Sequence, residues 1–146
     1  MSNDLEQACR EEIEGLHKFF VGWFSGQLPK DVFEAQFLAR FDPEFLLIPP
    51  AGVLLSLDGL AKGVEDNYAT NPDFRIAIRN VTVRRVLGDQ VLATYEEWQR
   101  FALASKPPEN ARLASVLFTI GKPLKWLHIH ETWMPEDVAR AGPYDF

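Results

Sequence analysis

The second half of the chain, residues 74–134, is a series of four strand-like stretches separated by turn residues. Gly88-Asp89 follows the first stretch, a loop containing Pro107-Pro108 follows the second, and a short turn at residues 121–125 follows the third. Long strands joined by short turns pair antiparallel with their neighbours in sequence. The pattern predicts a meander of four long strands, and so a fold built around one large sheet.

The first of these strands changes phase in its middle. Apolar residues first occupy every second position and then resume one position out of step, at Phe74, Ile76, Ile78, Val81 and Val83. Because side chains alternate between the two faces of a strand, a slip of one residue transfers them to the opposite face. An extra, unpaired residue restores the pairing and bends the strand. The sequence therefore predicts a β-bulge near Asn80 and a strongly curved sheet.

The first half of the chain has mainly helical patterns. Residues 5–24 carry apolar side chains at spacings of three and four, which is typical of an amphipathic helix. A shorter helix is expected between Pro29 and Phe41, and a third between Gly59 and about Tyr68, with a short hairpin around Pro49-Pro50 between them. We predict one α+β domain over residues 1–146, with residues 135–146 as a short tail. Its three N-terminal helices pack on a curved, mostly antiparallel six-stranded sheet that forms a cone with an internal pocket.

Charge and composition exclude several classes of protein. The net charge is −6 and the basic residues are scattered, which argues against binding to the phosphates of nucleic acid. No apolar run approaches the roughly 20 residues of a membrane-spanning helix, and the N-terminus lacks the pattern of a signal peptide. Cys9 is the only cysteine, so no intramolecular disulfide forms. These features favour a cytoplasmic protein without nucleic-acid or membrane partners.

Three stretches resemble the nuclear transport factor 2-like superfamily, whose fold is also called cystatin-like. They are residues 55–68 (LSLDGLAKGVEDNY), 74–99 (FRIAIRNVTVRRVLGDQVLATYEEWQ) and 126–133 (WLHIHETW). The last is similar to the closing strand of the polyketide-cyclase-like and kinase-association branches, with Trp126 and His130 at matching positions and Thr132 where the second histidine would stand. The resemblance implies a cavity and a homodimer formed sheet to sheet. The ketosteroid-isomerase branch needs a phenol and an acid where this chain has Phe19 and Pro49-Pro50, which disfavours that activity.

Two histidines on the last strand are candidates for acid–base chemistry. His128 and His130 are two residues apart, so they share one face of the strand. An imidazole titrates near neutral pH, which makes His130 a candidate general acid or base. A metal site would need a further ligand, and the remaining histidine, His17, lies in the first helix. Structural hydrogen bonding is the alternative role, and we expect no metal and no other cofactor.

The second meander strand carries two polar triplets, one on each face. Tyr95, Glu97 and Gln99 share one face, and the residues between and after them share the other. Alternation does not decide which triplet faces the cavity, because both are polar. If Glu97 is buried, desolvation raises its pKa and makes it a plausible base. If Glu97 is on the surface, it pairs with Arg112 or a nearby lysine.

The aromatic residues add further candidates. Trp23 and Tyr68 have polar tips suited to a ligand at the cavity mouth. The predicted pocket set is Trp23, Tyr68, Tyr95, Gln99, Trp126 and His128. This set indicates a protein that binds a small apolar or weakly polar molecule, with lyase- or isomerase-type chemistry by His130 and Glu97 as an extension. The alternative is a non-catalytic dimerisation or partner-binding module that uses an exposed aromatic patch at Trp98 and Trp133.

Overall fold

The computed structural model describes residues 2–146. Met1, the first residue of the predicted domain, lies outside the described residues. The helical elements are α1 (Ser2–Phe24), α2 (Phe33–Gln36), α3 (Leu57–Asp66) and α4 (Glu136–Ala141), with 3-10 turns at Lys30–Val32 and Leu38–Arg40. The strands are β1 (Phe41–Ile48), β2 (Leu55–Ser56), β3 (Arg75–Leu87), β4 (Gln90–Arg100), β5 (Asn110–Thr119) and β6 (Lys125–Trp133). No helix in the described part of the chain is both long and apolar enough to cross a membrane.

The six strands form one sheet in the order β2-β1-β6-β5-β4-β3. All neighbours pair antiparallel except β1 and β6, which run parallel. The last four strands are the predicted meander, and β1 reaches its place beside β6 by a crossover. The α+β class, the N-terminal helix and the mostly antiparallel six-stranded sheet are confirmed.

The predicted bulge lies at Asn80. The pairing of β3 with β4 shifts between Arg79 and Thr82, and Asn80 takes the left-handed backbone conformation with φ of 57°. A second shift follows between Val83 and Arg85. The concave face of the bent sheet packs on α1, where the buried residues are Cys9, Ile13, Leu16, Phe19 and Trp23. The core therefore lies between one long helix and the meander.

Several predicted elements differ in extent from the structure. The second helix is a single α-turn between two 3-10 turns. β1 begins at Phe41, the expected end of that helix, because Phe41 already pairs with Trp126. The return strand of the hairpin is only two residues long. α3 begins two residues early, because the Ser56 hydroxyl accepts a hydrogen bond from the Gly59 backbone N–H at 3.3 Å and caps the helix.

The C-terminal tail covers part of the convex face of the sheet. Tyr144 packs edge-on against Trp98 with ring centroids 5.5 Å apart, and the Arg79 guanidinium lies 4.7 Å from the centre of the Trp98 indole. Trp98 is consequently 3% exposed. Trp133 is 50% exposed but lies on the concave side, paired with Arg112. The expected patch of Trp98 and Trp133 does not form, because the two rings lie on opposite faces.

Candidate functional site

A cavity of about 190 Å³ lies between α1, α3 and the concave face of the sheet. Most of its wall is apolar and comes from every element around it: Leu16, Phe20, Phe24, Phe41, Leu47, Leu60, Val64, Phe74, Ile76 and Ile129. The polar side chains that line it are His17, Tyr95, Glu97, Gln99, Arg112 and Glu131. An apolar space with a few converging polar groups is the usual form of a small-molecule site.

A buried ion pair connects α1 to β4 in this cavity. His17 Nδ1 lies 2.7 Å from the Ile13 carbonyl oxygen, and Nε2 lies 3.0 Å from Glu97 Oε1. A carbonyl oxygen only accepts, so Nδ1 carries a hydrogen and Nε2 is free to donate to the carboxylate as an imidazolium. Burial opposes both charges, but the mutual attraction raises the pKa of His17 and, with Arg112, lowers that of Glu97 to about 2. The pair is therefore charged at neutral pH.

The pair continues into a chain of hydrogen bonds across β4 and β5. Gln99 Nε2 donates to Glu97 Oε2 at 2.6 Å, and Asn110 Nδ2 donates to Gln99 Oε1 at 3.2 Å. Arg112 Nη2 then donates to Asn110 Oδ1 at 3.0 Å. Each amide is held by its neighbours, so the network fixes the rotamers of the side chains that line this side of the cavity.

Glu131 on β6 is the second carboxyl group of the cavity and is less well partnered. Its Oε1 lies 3.5 Å from Arg112 Nη1, a longer contact than those of Glu97. Burial, followed by the negative charge of Glu97, raises the pKa of Glu131 to about 7 against the opposing effect of Arg112. Glu131 therefore gains and loses its proton near neutral pH.

Two polar atoms in the cavity wall are buried without a hydrogen-bond partner among residues 2–146. They are the hydroxyl of Tyr95 and Nε of Arg112. Burial, and then the charges of Glu131 and Glu97, raise the pKa of Tyr95 well above its ordinary value, so its hydroxyl keeps its proton. Both atoms are consequently available as hydrogen-bond donors.

A second cavity of about 310 Å³ adjoins the first. The two share the side chains of Phe24, Phe74, Gln99 and Arg112. The outer cavity is otherwise lined by polar residues after α3 and by the loop that follows β4. Arg112 therefore stands at the junction of an inner apolar chamber and an outer, more polar one.

The structure brings three of the predicted site residues together. Tyr95, Glu97 and Gln99 all face the cavity, as one of the two alternatives for β4 required. Glu97 does lie beside an imidazole, but it is that of His17 of α1 and not that of His130. The pKa of Glu97 falls rather than rises, because His17 outweighs desolvation.

The two histidines of β6 lie outside the cavity. The pairing of β5 with β6 shifts between Leu117 and Phe118, so that Phe118 faces Trp126 while Leu117 faces His128. This irregularity accommodates an extra residue in β6 and turns Ile129 and Glu131 inward. His128 and His130 share a face, as predicted, but it is the convex face, and His130 is exposed. This placement corrects the expectation that His130 and His128 line the pocket.

The three other predicted pocket residues use their polar tips within the protein. Trp23 Nε1 donates to the Val64 carbonyl oxygen at 2.7 Å, and the Tyr68 hydroxyl donates to the Leu28 carbonyl oxygen at 2.6 Å. Trp126 Nε1 donates to Glu12 Oε2 at 2.8 Å. None of the three lines the inner cavity. They belong to the core outside this cavity, which corrects the expectation that they line the pocket.

Sequence reasoning missed His17, Arg112 and Glu131 as cavity residues. His17 follows Ile13 by four residues and precedes Phe20 by three, so it belongs to the apolar stripe of α1. A histidine on a buried stripe needs a polar partner from another element. This requirement is the feature of the sequence that could have identified His17 as a cavity residue. Among residues 2–146, no group of three or more histidine, cysteine or acidic side chains is arranged to hold a metal ion.

No family model matches the sequence, and a search of curated proteins finds no match. Solved structures do match. An NTF-2-like protein of unknown function from Pseudomonas aeruginosa is 27% identical, with a TM-score of 0.77 over 88% of this chain and 99% of that one. A cystatin-like-fold protein from Caulobacter vibrioides is 16% identical, with a TM-score of 0.67 over 94% of each chain.

The S. rosetta CaMKII hub also has a similar fold. It is 19% identical, with a TM-score of 0.66 over 88% of this chain and 95% of the hub. These three solved structures share their fold with this chain. The chain belongs to the NTF2-like superfamily.

Proposed function

We propose that the protein binds a small, largely apolar molecule with one polar group in the inner cavity. The observation that carries the proposal is the Tyr95 hydroxyl, which is buried in the cavity wall without a partner in the described chain. Leaving a buried hydroxyl unpaired costs about 1–3 kcal/mol, so such groups are rare unless something else pairs with them. A ligand oxygen or nitrogen beside Tyr95 would supply the missing hydrogen bond.

The size of the cavity limits the ligand. A cavity of about 150 Å³ accommodates benzene, and the inner chamber measures about 190 Å³. Its apolar wall would cover one aromatic ring or a short branched chain. A longer ligand would extend past Arg112 into the outer chamber.

Any acid–base chemistry in this cavity would fall to Glu131. A group that takes up and returns a proton near neutral pH needs a pKa close to 7. Glu131 has such a pKa, whereas Glu97 is held ionised by His17. We therefore extend the proposal to lyase- or isomerase-type proton transfer with Glu131 in the role first predicted for Glu97 and His130.

The test is ligand binding to a protein with a filled cavity. Leu60 of α3 is half-buried and lines the cavity, so Leu60→Trp fills the space without removing a polar group. Leu54→Trp is the matched control, because Leu54 is 62% exposed on the loop before β2. The probes are benzyl alcohol, benzamide and benzoate, read by thermal shift, since a ligand at about 100 times its Kd adds ~2.7 kcal/mol.

We expect at least one probe to raise the Tm of the wild type and of Leu54→Trp but not of Leu60→Trp. Absence of any shift up to about 10 mM of every probe, a weak limit for a specific site, would overturn the proposal. A Tm shift that persists in Leu60→Trp would mean that the probe binds outside this cavity.

A second candidate is self-association through the convex face of the sheet. Leu113 on that face is 41% exposed, and the half-buried side chains of Leu117, Leu46 and Ile48 lie on the same face of the sheet. The similarity to a CaMKII hub supports this candidate. Sedimentation at micromolar concentration should give a dimer for the wild type and a monomer for Leu113→Arg, with Leu103→Arg as an exposed control. A monomeric wild type would refute the candidate.

A further inference from the structure

The charges that line the inner cavity determine which polar group a ligand can carry. His17 and Glu97 form a closed pair, 3.0 Å apart, and are 4% and 5% exposed. Their charges cancel, and each uses its facing atoms on the other. The remaining charge of the cavity is therefore set by Arg112 and Glu131 alone.

The unused donors lie on the same two strands. The Tyr95 hydroxyl on β4 and Arg112 Nε on β5 are both buried and both without a partner in residues 2–146. Both side chains line the inner cavity. Two free donors, one of them cationic, fit an acceptor group that carries negative charge better than they fit a neutral one.

Glu131 competes with such a ligand. Its carboxyl group lies 3.5 Å from Arg112 and, when ionised, cancels the charge of that guanidinium. The groups that act on Glu131 are His17 of α1, Glu97 of β4 and Arg112 of β5, and it in turn acts on Tyr95. With Glu131 protonated the cavity carries one net positive charge; with Glu131 ionised it carries none.

We propose that the ligand is a small apolar monocarboxylate, held by the Tyr95 hydroxyl and Arg112, and that its binding places a proton on Glu131. The proposal rests on the proposed function, because it names the ligand class of the same cavity. Protonation of Glu131 removes the repulsion between two carboxylates in an apolar space and releases Arg112 for the ligand. The pKa of about 7 makes that proton available near neutral pH.

One net positive charge also selects against other anions. A dianionic phosphate would leave one negative charge uncompensated in a buried cavity, which is strongly unfavourable. A neutral amide of the same shape pairs with Tyr95 but gains nothing from the guanidinium charge. The ligand class is therefore distinguished by comparing benzoate with its neutral analogue benzamide.

The experiment is calorimetric titration of both probes between about pH 6 and about pH 9, in buffers of different ionisation enthalpy. Benzoate is ionised throughout this range, so any proton taken up belongs to the protein. We expect the affinity for benzoate to fall about tenfold per pH unit above pH 7, with close to one proton taken up per benzoate bound. Benzamide should bind more weakly at about pH 6 and show no such pH dependence.

Three variants identify the residues. Glu131→Gln fixes the neutral state and should bind benzoate with no pH dependence. Arg112→Gln should lose the preference for benzoate over benzamide, and Tyr95→Phe should weaken benzoate by roughly tenfold, the effect of one hydrogen bond. His130→Gln on the convex face should behave as the wild type. A far-UV circular dichroism spectrum and a cooperative thermal transition like those of the wild type show that each variant is folded.

The results separate this inference from the proposed function. If benzamide and benzoate bind with equal affinity and no proton uptake, the carboxylate proposal is overturned while the binding function stands. If neither of these probes nor any other cavity probe binds, the proposed binding function itself is overturned. An unchanged pH dependence in Glu131→Gln would assign the proton to another group and overturn the role of Glu131.

Discussion

At the scale of single residues, two tyrosines of the structure differ in how they use the same group. The Tyr68 hydroxyl donates to the Leu28 carbonyl oxygen at 2.6 Å, whereas the Tyr95 hydroxyl is buried without a partner in the described chain. A fold that retains an unpaired hydroxyl in its core does so against its own stability. The difference makes Tyr95 a candidate for function and Tyr68 a candidate for structure.

The first prediction compares the two tyrosines as phenylalanines. Tyr68→Phe should lower the free energy of unfolding by about 1 kcal/mol, because a hydrogen bond is lost. Tyr95→Phe should leave it unchanged or raise it by about 1 kcal/mol, because an unpaired group is removed. Urea denaturation of the protein without ligand measures both. A loss for Tyr95→Phe equal to that of Tyr68→Phe would mean that the hydroxyl has a structural partner.

The second prediction concerns the ion pair between α1 and β4. His17→Gln leaves the Glu97 carboxylate buried without its cation, which should cost about 3–5 kcal/mol. The control is Lys62→Gln, which breaks an exposed ion pair with Asp66 on the surface of α3. Its effect should be far smaller, because both partners are exposed to water. Equal losses of the free energy of unfolding in the two variants would show that the buried pair contributes no more to stability than the exposed one.

The site was only half predictable from the sequence. The shared face of Tyr95, Glu97 and Gln99 follows from alternation. The direction of that face does not, because the opposite face is buried at Trp98 by Tyr144, which is 46 positions away in sequence. The orientation of His130 could not be predicted for a different reason. The extra residue in β6 lies in a run where apolar residues occupy both faces, so the sequence shows no change of phase.

At the scale of elements, the bend in β3 is the feature that the sequence located. Asn80 takes φ of 57°, and its Nδ2 donates to Glu96 Oε2 on β4 at 2.6 Å. The left-handed conformation is open to asparagine and glycine but costs other residues roughly 1–2 kcal/mol. Asn80 thus both permits the bulge and links it to the neighbouring strand.

The third prediction tests the bulge with two substitutions that both remove this hydrogen bond. Asn80→Gly keeps access to the left-handed region, whereas Asn80→Val does not. We expect Asn80→Val to be less stable than Asn80→Gly by about 1–2 kcal/mol in urea denaturation. Equal stabilities would mean that the strand does not require a positive φ at this position.

Element order was predictable because it depends on local patterns, and element ends were not, because they depend on partners. β1 starts at Phe41 through its pairing with Trp126, 85 positions later in sequence. The tail contains a short helix, α4, and its terminal segment is held by aromatic and cationic contacts to the convex face. The sequence of β1 does not show its partner Trp126, and the sequence of the tail does not show the convex face that it contacts.

At the scale of the whole molecule, the buried network makes global stability depend on pH in opposite directions. Glu97 has a lowered pKa, so its contribution is present above its ordinary value of 4.5 and is lost as pH falls through about 2. Glu131 has a raised pKa, so the folded protein holds a proton that the unfolded chain releases between 4.5 and about 7. The stability from that proton is lost as pH rises through this window. The pKa of His17 is also raised, so its proton likewise stabilises the fold, and that stability is lost as pH rises above 6.5.

The fourth prediction follows from these signs. The free energy of unfolding should be highest near pH 4.5 and should fall on the order of 3 kcal/mol between pH 4.5 and about 7, from Glu131 alone. Glu131→Gln cannot ionise, so its stability should decline much less over this range than that of the wild type, whereas His130→Gln should follow the wild type. Chemical denaturation at a series of pH values measures the difference. Parallel curves for the wild type and Glu131→Gln would mean that Glu131 is already ionised in the folded protein at pH 5, and the cavity would then carry no net charge with which to attract an acid.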